Sequence, residues 1–281
     1  MNVERDRDEF DSAALKKQRE SLPYLQMLNH PDPTQSGFFI TLENAKAAHF
    51  TPTEEWVEHL AVFQNRQAAE GYRSLTARFL ILRKSKLLMC DRESGEFIGD
   101  YQKSRYDRAT MVLKTRYLIF LVDKDKRLLH ESPLLFTTKG SFCGSFGEAL
   151  KQFHSEMSKA YGAVTNAKKP RGDRFMALSV LAVRVTPILK GEKKKSWVCS
   201  VESHGVPTIE NWRQFFVGYQ PELKEHILAE FEDWAGFGNP DRQVSMSSRR
   251  SPQPAEPQPS NQPAEADLAG FADDDYGYQE L

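Results

Sequence analysis

Residues Thr115–Val122 read TRYLIFLV, an almost unbroken run of aromatic and branched apolar side chains. Eight residues suit a strand, and this composition is typical of a strand buried on both faces. The polar turn DKDKR follows at 123–127, and an apolar run continues over 128–136 with Pro133 inside it, which indicates an edge strand or a broken one. We therefore expect a sheet built around 115–122.

Further strand patterns lie on both sides of this run. Alternating or continuous apolar residues bounded by turn residues predict strands at 37–42, 76–83, 86–91, 97–101, 174–189 and 196–201. The basic turn at 190–195 joins the last two into a projecting hairpin.

Helical periodicity appears in two longer segments and one short one, 43–49. In 145–161, apolar residues recur every three or four positions, and Ser145 with Glu148 predicts a capping box at its start. Pro221 opens the second, 221–237. The predicted class is α+β and β-rich, with two main helices and a disordered C-terminal tail; an OB-like barrel is expected by analogy.

Composition divides the chain into four parts. Residues 1–21 are mostly charged or small and predict a frayed N-terminus, whereas 22–237 can bury a core. Residues 238–266 are rich in Pro, Gln, Ser and Ala and predict a disordered linker. Acids and aromatics alternate at 267–281, which forms a distinct tip.

Several classes of protein are disfavoured by the same composition. The sequence contains no run of 18 or more apolar residues, so we expect no membrane span. The N-terminus lacks the apolar core of a secretory signal. Cys90, Cys143 and Cys199 are too few and too scattered for a disulfide framework. We expect a cytoplasmic protein that does not contact membranes.

The net charge of −1 conceals an uneven distribution. Residues 241–281 carry eight acids and three basic residues, a net charge of −5, so the preceding 240 residues carry +4. A basic body joined to an acidic tail indicates interaction with a polyanion more clearly than the total charge does.

Three segments of the body combine cations with aromatic rings, at 66–86, 103–116 and 168–195. Proteins that bind single strands place cations along the backbone and stack bases on exposed rings. The alternative is that these segments are ordinary solvated faces. For the phosphates the candidates are Arg78, Arg83, Lys103, Arg105, Arg108, Lys168, Lys169, Arg171, Arg174, Lys193, Lys194 and Lys195; for stacking they are Tyr101, Tyr106 and Trp197.

Catalytic and cofactor patterns are weak. Glycines at 140, 144 and 147 precede a helix, but their spacing matches neither the dinucleotide nor the P-loop motif. Cys143, Cys199 and His204 lack metal-site spacing. We expect no enzyme activity, no cofactor and no metal.

The acidic tip contains Asp273, Asp274 and Asp275 among Phe271, Tyr276 and Tyr278. A β domain, a Pro/Gln/Ser-rich linker and such a tip resemble the layout of bacterial and phage single-stranded-DNA-binding proteins. The resemblance implies that the tip recruits protein partners and competes with DNA for the basic surface. The chain ends in Leu281 rather than in the family's usual Pro-Phe or Phe, so the identity of the partners does not carry over.

The body resembles an uncharacterised family of cyanobacterial proteins. The similarity lies in LPYLQ at 22–26, KKSW at 194–197 and NWRQFFVG at 211–218. It implies no activity.

Three functions follow from these observations. The first is a single-stranded nucleic-acid-binding protein, with DNA preferred, in which the tail docks partners and inhibits binding. The second is an adaptor that binds proteins through the tail without nucleic acid, and the third is an enzyme with a dispersed site. Assembly of several copies stays open.

Overall fold

The computed structural model describes residues 22–63, 67–191 and 195–238. The predicted N-terminal segment, the acidic tip and all of the linker after Gly238 lie outside these ranges. The strands are β1 (Tyr24–Leu28), β2 (Gly37–Thr41), β3 (Val57–Val62), β4 (Ala68–Ser74), β5 (Thr76–Lys84), β6 (Leu88–Asp91), β7 (Phe97–Asp100), β8 (Met111–Leu121), β9 (Leu134–Lys139), β10 (Val180–Lys190) and β11 (Ser196–His204). The α-helices are α1 (Leu42–Ala48), α2 (Gly140–Thr165), α3 (Asp173–Ala177) and α4 (Pro221–Asp233).

The eleven strands of the described residues belong to one sheet, and nine of them follow the order β11-β10-β5-β8-β9-β1-β2-β4-β3. Strand β6 pairs with the first part of β8 and carries β7 on its other side. The pair β1–β9 is parallel. The α+β, strand-rich class is confirmed. The ladders of the described residues leave the two ends of this order, β11 and β3, unjoined, so the OB-like barrel stays an analogy.

The central strand is β8, which contains most of the predicted 115–122 run. Its residues Leu118–Leu121 are fully buried. The Phe38 ring on β2 lies 5.3 Å from the Phe79 ring on β5, although three strands lie between β5 and β2 in the sheet order. The sheet therefore folds over on itself and encloses an aromatic core, which Phe136 and Phe146 complete.

The two longest helices pack on opposite faces of β8. Phe146 of α2 contacts Tyr117, with ring centroids 5.2 Å apart, whereas His226 of α4 contacts Phe120 at 5.4 Å. Residues three apart on a strand point to opposite faces. Helix α2 thus covers the face of Tyr117, and α4 covers the face of Phe120.

The predicted bounds of α2 were wrong at its start. The helix begins at Gly140, five residues before the predicted cap, so Ser145 lies inside it. Its hydroxyl donates to the Phe142 carbonyl and accepts from the Val201 amide, and therefore joins α2 to β11 instead of capping the helix.

The strand predicted over 174–189 begins only at Val180, because α3 occupies Asp173–Ala177. The helical turn lets Phe175 pack between Tyr161 and Phe216, at 4.8 Å from each ring. The predicted hairpin of β10 and β11 is confirmed. Among the helices of the described ranges, none has the length and hydropathy of a membrane-crossing segment.

Candidate nucleic-acid interface

Residues Tyr101–Thr110 connect β7 to β8, and we call this segment the tyrosine loop. Asp107 shapes it, because its carboxylate accepts hydrogen bonds from the Ala109 amide and the Thr110 hydroxyl at 2.9 and 3.0 Å. The Tyr101 and Tyr106 rings meet edge to face with centroids 5.8 Å apart. The loop thus holds two partly exposed rings next to exposed cations at Lys103, Arg105 and Arg108.

A second group of cations lies on the strands beside this loop. Lys114 of β8 and Lys139 of β9 are direct cross-strand partners, so their side chains leave the same face of the sheet. Arg116, two residues along β8, shares that face. We call Lys114, Arg116 and Lys139 the basic row.

The basic row concentrates positive charge on one face at this end of the sheet. Like charges directly opposite each other destabilise a sheet. Lys114 donates to the Gly95 carbonyl at 3.3 Å, which is a neutral acceptor. Burial raises the pKa of the nearby Cys90 thiol, and the charges of Lys114 and Arg116 oppose that rise. A row of this kind is suited to an external anion.

Sequence reasoning left the basic row out of the predicted site. Lys114 and Arg116 belong to one of the basic segments, but Lys139 stands apart at the end of its own strand. Only the β8–β9 register brings Lys139 opposite Lys114, and the long connection between these strands gives no turn signal that fixes it.

Two predicted phosphate ligands are instead engaged within the fold. Arg78 forms a two-point ion pair with Glu55. The guanidinium of Arg83 lies 3.4 Å from the centroid of the Phe231 ring and donates to the Phe231 carbonyl. Both side chains are partly buried, and each holds another segment against β5.

The predicted cations before β10 lie near the same end of the sheet. Lys168 and Lys169 are exposed, and Arg171 lies 5.4 Å from the Tyr161 ring. Arg174 is paired with Glu232, next to the residue that holds Arg83. Arg174 is therefore already neutralised by a neighbour, whereas Lys168 and Lys169 are exposed on the connection that precedes α3.

Electrostatic effects on His154 support this placement. Burial, with a smaller effect from the charge of Lys84, lowers the pKa of His154 to about 4, and Asp173 opposes both effects. Lys84 at the end of β5 and Asp173 at the start of α3 therefore both lie close to His154 on α2.

The hairpin of β10 and β11 points away from this end. Strand β10 pairs with β5 from Val180 opposite Leu80 to Arg184 opposite Thr76, and then runs on beyond the start of β5. The basic row and the tyrosine loop lie beyond the other end, past Lys84. Lys195 and the 41% exposed Trp197 are thus remote from the tyrosine loop. Lys193 and Lys194 lie outside the described residues.

The thirteen predicted residues that the structure describes therefore do not form one track. Five of them lie together in the tyrosine loop, where the three cations are exposed and the two rings are partly exposed, and the basic row adds three residues that were not in the predicted site. The predicted partner-binding residues Phe271, Asp273, Asp274, Asp275, Tyr276, Tyr278 and Leu281 lie outside the described residues.

A cleft of about 300 Å³ contains the histidines His49, His130 and His226 together with Glu131. His130 is buried and fully bonded: Nε2 accepts from the Leu121 amide at 2.8 Å, and Nδ1 donates to the Ser132 carbonyl at 2.7 Å. Within the described ranges, no group of three or more His, Cys, Asp or Glu side chains is arranged to hold a metal. Two of the three histidines already have partners within the fold, His130 in the two bonds above and His49 with Glu131 at 2.7 Å.

Comparison with known proteins identifies the family of this chain but does not indicate an activity. No curated protein and no solved structure matches the chain. One family model matches residues 19–250, most of the chain, and its description is a domain of unknown function, DUF5895. The match covers the whole described part of the chain, including the tyrosine loop and the basic row. The chain therefore belongs to the DUF5895 family.

Proposed function

We propose that this protein binds single-stranded nucleic acid, with DNA as the preferred ligand, at the end of the sheet formed by the tyrosine loop and the basic row. The observation that carries the proposal is the pairing of Lys114 with Lys139 beside a loop that exposes three cations and two tyrosines. The cations neutralise phosphates, and the rings provide surfaces on which unpaired bases stack.

The mixture of rings and cations favours a single strand over a duplex. Bases in a duplex are already stacked on each other, so exposed rings gain little from them, whereas each unpaired base gains roughly 1–3 kcal/mol from an aromatic surface. Tyr101 and Tyr106 lie edge to face and are both partly exposed, so the pair offers an aromatic surface to a base from the solvent side.

Fluorescence anisotropy of a labelled oligonucleotide, measured at several salt concentrations, tests the proposal. We expect the logarithm of the affinity to fall linearly with the logarithm of the salt concentration, because bound phosphates release counterions. A matched RNA and a matched duplex show which nucleic acid is preferred. If anisotropy stays flat at low salt while the isolated tail captures a protein, the adaptor function replaces this one.

Replacing Tyr101 with alanine should weaken binding by roughly 5- to 100-fold, the equivalent of one lost stack. The loss should be similar at low and high salt, because stacking releases no counterions. Tyr101→Phe is the matched control and should bind like the wild type, since it keeps the ring. An alanine variant that binds normally would remove the stacking role.

The position of Gly238 supports a role for the acidic tail. A Cβ atom built on Gly238 would lie 2.9 Å from the Cα atom of Ser85. The last described residue therefore packs against Ser85, which lies between Lys84 and Lys86 in the sequence. Residues 241–281, with a net charge of −5, follow from this point. If residues 239–266 form the linker that their composition predicts, these roughly 30 residues have an average end-to-end distance of roughly 30 Å. That distance is enough to bring the acidic tip to the basic row.

Deleting residues 241–281 should therefore tighten oligonucleotide binding, most strongly at low salt, because the carboxylates compete with phosphates for the same cations. The control is a full-length chain in which Asp273, Asp274 and Asp275 are changed to Asn. It should reproduce much of the gain, and an unchanged affinity in both proteins would remove the inhibitory role of the tail.

A further inference from the structure

Strand β3, Val57–Val62, stands at one end of the strand order and pairs only with β4 within the described ranges. Its sequence VEHLAV contains no lysine and no proline, and its ladder with β4 has no bulge. Charged side chains, above all lysine, together with proline and bulges are among the features by which natural sheets protect a free edge. Of these, β3 carries only the acidic side chain of Glu58, so its edge is weakly protected.

The register with β4 shows which backbone groups of β3 face outward. The Phe63 amide donates to the Gln67 carbonyl at 2.8 Å, and these residues continue the ladder after Val62 and Ala68. In an antiparallel ladder, hydrogen-bonded residues alternate with residues whose N–H and C=O point away. Glu58, Leu60 and Val62 consequently direct their amides and carbonyls toward the open edge.

Two of the three outward-facing residues of β3, Leu60 and Val62, have exposed apolar side chains. Leu60 is 56% exposed and Val62 is 71% exposed, and both share one face because they are two residues apart. Among the described residues, the six outward backbone groups of Glu58, Leu60 and Val62 have no strand partner, and they adjoin an apolar surface. A further strand requires both features.

We propose that two copies of this chain associate edge to edge through antiparallel pairing of their β3 strands. The outward-facing residues of one copy must meet those of the other, and a twofold axis at Leu60 achieves this. Leu60 then lies opposite Leu60 of the second copy, and Glu58 lies opposite Val62.

Charge favours a second copy in this register. The only carboxylate on the strand, Glu58, faces valine instead of another acid, so no like charges meet across the interface. The two Leu60 and the two Val62 side chains form a continuous apolar strip across the axis. A twofold interface is self-complementary by symmetry, and this strand satisfies that condition without any change to the fold. This association is independent of nucleic-acid binding.

Cysteine cross-linking of the full-length chain tests both the association and its register. Opposed hydrogen-bonded residues have Cα atoms about 5.5 Å apart, within the range of a disulfide. Leu60→Cys should give a covalent dimer under mild oxidation. Glu58→Cys is the matched control and should not, because two residues at 58 are four positions apart along the paired strands, about 13 Å. An equimolar mixture of Glu58→Cys and Val62→Cys should cross-link. The native cysteines at 90, 143 and 199 are buried and do not compete.

Sedimentation equilibrium gives a second readout without cysteines. The wild-type mass should rise from 32.2 kDa toward twice that value as concentration increases, whereas Leu60→Lys should stay at the monomer mass. The charge is placed at an exposed position, so circular dichroism of the variant should match the wild type. A wild type that stays monomeric, a dimer that survives Leu60→Lys, or cross-linking of Glu58→Cys as fast as Leu60→Cys would overturn the proposal.

Discussion

Replacing Lys103, Arg105 and Arg108 together with alanine should weaken oligonucleotide binding about 100-fold at 0.1 M salt. Each cation that neutralises a phosphate of a single strand contributes roughly 0.7 to the slope of log affinity against log salt, so removing three should reduce the slope by about 2. At 0.1 M salt, that change in slope corresponds to about two decades of affinity. Anisotropy titrations at four or more salt concentrations give both quantities.

A matched triple variant separates this effect from the general loss of positive charge. Lys46, Lys151 and Lys159 are exposed lysines outside the proposed site. Changing all three to alanine alters the net charge equally and should lower affinity only slightly, through the weaker long-range field. If both triple variants lose affinity to the same extent, the tyrosine loop has no special role.

As the pH falls from 6.5 to 4, the buried His130 alone should lower the free energy of unfolding by about 3 kcal/mol. The His130 side chain is almost fully inaccessible, lies flat against the Phe120 ring at 5.2 Å and makes two hydrogen bonds as a neutral tautomer. Burial lowers the pKa of His130 to about 4 from the usual 6.5. Protonation would also remove the acceptor that Nε2 offers to the Leu121 amide.

The sign follows from proton uptake. Between pH 6.5 and 4, the unfolded chain binds a proton at His130 that the folded chain does not, so the free energy of unfolding falls with decreasing pH in this window. A shift of 2.5 pKa units corresponds to about 3 kcal/mol. His154, with its pKa also lowered to about 4, acts in the same window and direction.

Urea unfolding at pH 7 and pH 4.5 measures this dependence. His130→Gln keeps a polar group near the Leu121 amide but cannot be protonated, so its stability should depend less on pH than that of the wild type, although it is lower at pH 7. His49→Gln, which removes an exposed histidine from the same cleft, is the control. Equal pH dependence in the wild type and His130→Gln would contradict the role assigned to His130.

The fold could be predicted wherever the sequence of a single strand or helix shows the apolar pattern typical of that element. The apolar run at 115–122 predicted the central strand β8, and the hairpin of β10 and β11 followed from two β patterns around a polar turn. Helix α3 was missed because its five residues are too few to show a helical period. The start of α2 was displaced because Ser145, which resembles a cap in sequence, bonds to β11 in the fold.

The site was less predictable, because charge in a sequence does not reveal its partner. Arg78 is neutralised by Glu55, 23 residues away, and Arg83 is held by Phe231, 148 residues away. Lys139 gains its importance only from its register with Lys114. The five candidate residues of the tyrosine loop could be grouped from the sequence, because they are neighbours in the chain and no long-range contact is needed to bring them together. Their role in binding stays a prediction.

Photochemical cross-linking of a bound single-stranded oligonucleotide, followed by mass spectrometry of the attached peptides, tests the central proposal most directly. We expect nucleotides to be attached to peptides that contain Tyr101 and Tyr106. Further nucleotides should be attached near Lys114 or Lys139. Attachment confined to the β10–β11 hairpin around Trp197, or none under conditions that saturate a known single-strand binder, would contradict the proposal.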